Sequence, residues 1–118
     1  MPILGVVIHF LIALYFAVHA VRTGRLEQVA LLPATSYAAA DMHAEAGMEF
    51  AAVVERFSGT EARVEYALWA LARGEHAAAQ VQLKELNHSR KHMNKHTRSL
   101  HQDLFRRLDS ALKMQGMQ

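Results

Sequence analysis

The stretch from Asn87 to Leu108, NHSRKHMNKHTRSLHQDLFRRL, holds the side chains best suited to chemistry. His88, His92 and His96 recur at every fourth position. On a helix each step of four turns by about 40°, so the three rings lie within an arc of roughly 80°. Imidazoles at i and i+4 suit a shared metal ion. The neighbours oppose one. No carboxylate lies within the triad, and Arg90, Lys91, Lys95 and Arg98 surround it and repel a cation. No acceptor is at hand to fix a ring tautomer. The expectation is therefore no tightly bound metal, with these basic residues, Arg106 and Arg107 acting as a group that attracts an anion.

Charge is distributed to the same effect. The 118 residues carry a net +2, but residues 22–83 hold five basic and eight acidic side chains, whereas 84–107 hold seven basic, two acidic and four histidines. A basic tail of this kind meets anionic lipid headgroups at about 1 kcal/mol per residue near the surface. RNA is the other anionic surface to weigh. Nucleic acid is the less expected partner, because aromatic residues do not interleave the basic run and no groove-reading motif is present.

Catalysis is not expected. The chain has no cysteine, which excludes disulfides, thiolate zinc sites and cysteine nucleophiles. It also lacks GxSxG, HExxH and a glycine-rich phosphate loop. Asp41, Glu45, Glu49, Glu55, Glu61 and Glu65 are spaced as on a solvated helix surface, and no cofactor is implied.

The elements that must position the basic tail begin with an apolar run. Pro2 to Val21 carries no charge, and Arg22 and Arg25 follow. About 20 apolar residues span the roughly 30 Å hydrocarbon core of a bilayer. Val18-His19-Ala20 looks like a signal-peptide cleavage site. However, no Lys or Arg precedes the run, and it exceeds the usual apolar region of a signal peptide. The expectation is an uncleaved single-pass anchor. Arg22 and Arg25 then place the C-terminal side in the cytoplasm. His9 and His19, ten positions apart, share no helical face and form no relay.

Helices are expected throughout the rest, since alanine and glutamate favour them and no period-2 alternation persists. Pro33 ends a short amphipathic turn, and Thr35 or Ser36 caps a helix running to Gly47. MEFAAVVERF follows and stops at Ser58-Gly59, and Thr60 caps a third helix that stops at Gly74. Val64, Ala67, Leu68 and Leu71 form its apolar stripe, widened by Tyr66, Trp69 and Ala70, and Ala79, Leu83 and Leu86 form that of the fourth. The short Gly74 turn folds these two helices into an antiparallel hairpin. Leu86, Met93 and Leu100 then make a narrow seam on a closing helix, thickened by Leu104, Phe105, Leu108 and Leu112.

YALWALARGEHAAAQVQLKEL resembles a tetratricopeptide repeat. That repeat sets a small residue seven positions before a glycine turn, an alanine five after it and a large apolar residue four further on. Ala67, Gly74, Ala79 and Leu83 hold those places here. Ala40, Gly47 and Ala52 form a weaker upstream copy with Arg56 in the last place, its glycine 27 positions before Gly74. The start of the chain is similar to that of bacterial membrane proteins joining a phospholipase D-nuclease N-terminal-type segment to tetratricopeptide repeats. It lacks their second membrane helix and several repeats, as a shortened relative would.

The reading is thus an all-α chain: one transmembrane helix (1–25), a linker (26–35), two short tetratricopeptide-like hairpins (36–86) and a basic amphipathic capping helix (87–118). The resemblance implies a bacterial inner-membrane scaffold with a cytoplasmic C-terminus that binds a protein partner in a concave groove. Two imperfect hairpins bury little core, which favours self-association. The alternatives are a basic tail binding anionic lipid or RNA, and an internally deleted remnant without activity.

Overall fold

The computed structural model describes residues 2–23 and 26–116, with the side chains of 2, 17 and 19–23 outside it. The described residues form helices and turns without a strand. In chain order the helices are α1 (Pro2–Thr23), α2 (Leu26–Ala30), α3 (Leu32–Ala39), α4 (His43–Phe57), α5 (Thr60–Ala72), α6 (His76–His92), α7 (Lys95–Leu100) and α8 (Gln102–Met114).

Two hairpins organise the core. In α5–α6, Gly74 takes φ +74°. Glu75 N–H then bonds back to Ala70 C=O (2.9 Å) and Gly74 N–H to Leu71 C=O (3.2 Å). This is a Schellman closure, which satisfies carbonyls left free at a helix end. The α3–α4 hairpin is closed in the same way at Asp41, where φ is +59°. Met42 N–H reaches Tyr37 C=O (2.9 Å), and Asp41 N–H reaches Ala38 C=O (3.2 Å). Even the residues entering the second helices agree: Met42 has φ −90° and ψ 75°, Glu75 φ −85° and ψ 73°.

Packing repeats with the turns. Leu31, Ala34, Ala46, Phe50 and Val53 are buried, and the residues 33 positions further on, Val64, Ala67, Ala79, Leu83 and Leu86, are buried too. The first set lies in one apolar cluster with Val54 and Ala62, and the second lies in another with Ala70, Leu71, Phe105 and Leu108. Helix α5 contributes to both. Tyr66 and Trp69 pack against both clusters. Their rings meet Phe50, with centroids 5.8 Å from Tyr66 and 5.5 Å from Trp69. Burial, with a smaller effect of the Glu75 charge, raises the Tyr66 phenol above its usual pKa.

Polar ties complete the framework. Gly59 at the N-cap of α5 has no side chain to cap with, and Glu27 of α2 does so instead, its Oε1 accepting from Ala62 N–H at 2.8 Å. A carboxylate there also meets the positive end of the helix dipole. Arg63 on α5 donates to Oε1 of buried Gln82 on α6 at 3.0 Å.

Four expectations are corrected. The transmembrane helix and the single-pass inner-membrane placement fail, because among the described residues no helix is long and apolar enough to cross a membrane. Arg22 and Arg25, on which the orientation rested, have side chains outside the described residues. The described side chains of α1 are all exposed. Second, the span 26–35 is not a linker. It forms α2 and the start of α3, with Pro33 in the first turn of α3, where its missing N–H is not needed.

Third, Gly47 makes no turn. It lies inside α4, where a Cβ would come 3.1 Å from the Trp69 ring, so glycine there makes room for an indole. Ala40 falls in the preceding turn and Ala52 is exposed on α4, so neither occupies a buried repeat position. Fourth, the basic tail is not one helix. It breaks at Met93–Asn94 and again at His101, and Leu100 is 69% exposed, outside any seam.

Two substitutions test this packing. Ala79→Leu should cost roughly 1–3 kcal/mol by overpacking, while Gln80→Leu on the exposed face stays within about 0.5 kcal/mol. Equal losses in urea denaturation would refute the α5–α6 register. Glu27→Ala should lower stability by about 1 kcal/mol through the lost cap, and Glu27→Gln, which keeps an acceptor, by less.

Candidate anion-binding groove

The basic residues come together where α6 ends. Met93 is extended (ψ 137°) and Asn94 follows with ψ 167°, so the chain leaves α6 and restarts as α7. Asn94 caps the new helix, its Oδ1 accepting from Thr97 N–H at 2.8 Å. Arg98 closes the old one, its Nη2 donating to Arg90 C=O (3.2 Å) and Met93 C=O (3.3 Å). A guanidinium suits this place, since the last carbonyls of a helix are free and carry partial negative charge.

Arg90 stands at the centre. Its guanidinium lies over the Phe105 ring, 4.5 Å from the centroid. Its Nη1 and Nη2 donate to Oδ1 and Oδ2 of Asp109, each at 3.3 Å. Three adjoining hollows of about 300, 360 and 460 Å³ share Arg90 in their walls. Lys95, Arg98, Ser99, Gln102 and Phe105 complete the first. Arg106, Asp109 and Lys113 border the second, and Asn87, Lys91 and Arg98 the third.

The arginines are not interchangeable members of one cationic group. Arg107 donates to Glu65 Oε1 at 2.8 Å and ties α8 to α5. Arg106 pairs with Asp103 one turn back at 3.4 Å. Among the described residues no carboxylate lies within 4.0 Å of Lys91, Lys95 or Arg98. Lys113, which borders the second hollow, has none either, so the net positive charge of the groove comes from these four.

The histidines divide in the same way. His88 and His92 stay together on α6 with ring centroids 4.7 Å apart, but the break at Met93–Asn94 puts His96 on α7. No group of three or more His, Asp or Glu side chains among the described residues is placed to hold a metal.

Of the repeat residues, Ala67, Ala79 and Leu83 share one buried cluster and Gly74 forms the turn between their helices. Sequence reasoning missed Asp109, Ser99 and Gln102. Asp109 lies nineteen positions from Arg90, a separation with no local signal. Asn94, three positions before Thr97, did carry a readable signal, that of an N-cap.

Asn94→Ala should lower stability by about 1 kcal/mol and speed amide exchange in α7. Ser99→Ala, which removes no side-chain hydrogen bond within the described residues, should stay within about 0.5 kcal/mol. Denaturation midpoints that do not separate the two would remove Asn94 from this role.

Comparison with family models, with curated proteins and with solved structures finds no match.

Proposed function

We propose that the protein is a non-catalytic helical-repeat scaffold that binds a protein partner. One observation carries the reading: two hairpins with the same turn geometry and five matched buried positions, offset by 33 residues. Units of this kind bury a continuous core by stacking on each other, and a stack presents helix surfaces side by side for binding. The tetratricopeptide repeat is close in length, at 34 residues. In the corrected register Phe50 and Leu83 hold the large apolar place, and Asp41 stands where Gly74 stands in the second unit. The exposed apolar side chains of α1 favour the same class of function, since a large apolar surface left open by its own chain is one that something else covers.

The test is affinity isolation with the full chain. A defined partner should be recovered with the wild type and with Gln80→Leu, and lost when Ala46 and Ala79 both become leucine. Circular dichroism on the same samples checks the helical content. A partner held equally by the double variant would show that the stacked hairpins are not the binding element.

A further inference from the structure

The first hollow of the groove, between α6, α7 and the start of α8, is not used by the scaffold reading and has a chemistry of its own. Its walls carry Arg90, Lys95 and Arg98 around about 300 Å³. These charges differ in what they already hold. The fork of Arg90 is met by Asp109. Arg98 is held by two backbone carbonyls, which orient the guanidinium without cancelling its charge. Lys95 has no carboxylate within 4.0 Å among the described residues. Two uncompensated positive charges thus face one small space, one of them fixed in position. Ser99 and Gln102 border the same space and add neutral donors. Phe105 supplies an apolar wall, backed by the guanidinium of Arg90.

We propose that this hollow binds a phosphate monoester dianion. A monoester carries close to two negative charges at neutral pH, with three oxygens free to accept hydrogen bonds. That matches Lys95 and Arg98 in charge and leaves an oxygen for Ser99 or Gln102. A phosphodiester, with one negative charge, leaves one of the two cations unmatched. The ligand is thus a phosphorylated group, free or on another molecule, and not the diester backbone of a nucleic acid or the diester linkage of a phospholipid.

The experiment titrates methyl phosphate, a dianionic monoester, into the full ¹⁵N-labelled chain at about pH 7.5, above the second ionisation near 6. Ionic strength is held constant with sodium chloride. Saturable shifts are expected at the Ser99 and Gln102 amides and the Arg98 Nε–H. Dimethyl phosphate, the monoanionic diester, should give none at tenfold higher concentration. Lys95→Ala should weaken binding about tenfold, the effect of one charge-assisted hydrogen bond, while Lys84→Ala, exposed on α6 and lining none of the three hollows, leaves it unchanged. Equal binding of the diester would overturn the proposal and point to nucleic acid or lipid. Shifts that grow linearly without saturating, or that respond equally to both lysine variants, would overturn it in favour of diffuse attraction. The amide spectrum of each variant shows whether the fold is kept.

Discussion

Helix α5 is enclosed on several sides, and that constraint shapes everything around it. A helix serving one core needs one apolar stripe, but α5 serves two, and the faces between them must stay thin. Ala62, Ala67 and Ala70 are fully buried, and each lets a neighbouring helix approach closely. Bulk is concentrated in Trp69 and Tyr66, which lie between the clusters and belong to both. The indole needs space, and the missing side chain at Gly47 provides it. The two hairpins are therefore not independent units on a string. Helix α5 of the second supplies Ala62 to the core of the first, and the aromatic contacts with Phe50 join them.

Much of this was legible in the sequence, and what was missed has a common cause. Helical content, the α5–α6 pair and its stripes follow from spacing alone. The upstream hairpin was misplaced because a turn needing positive φ was sought at a glycine. Here the position is filled by Asp41, which tolerates the left-handed region at some cost. The nearest glycine was there for Trp69, a packing reason invisible without the partner helix. Once Asp41 is aligned with Gly74, the buried positions fall into register, and the apparent 27-residue spacing gives way to 33.

The tail was misread by assuming continuity. Periodicity made one helix of it, yet Asn94 and His101 each begin a new one. Composition revealed the excess of positive charge but not its use. Several cations that looked like a single patch are divided among a helix end, an aromatic ring and three carboxylates. Exposed ion pairs of this sort add little to stability, at most about 1 kcal/mol each. Their larger effect is to decide which charges remain available.

Helix α8 limits how far the architecture can extend. A repeat array adds units as long as its last apolar face is open. Here Phe105 and Leu108 lie in the cluster formed by α5 and α6, so that face is already covered by a helix outside the 33-residue register. The exposed side chains of α8 are mostly polar, Gln102, Asp103, Arg107 and Ser110 among them. A further hairpin could stack on this face only if α8 were displaced from it.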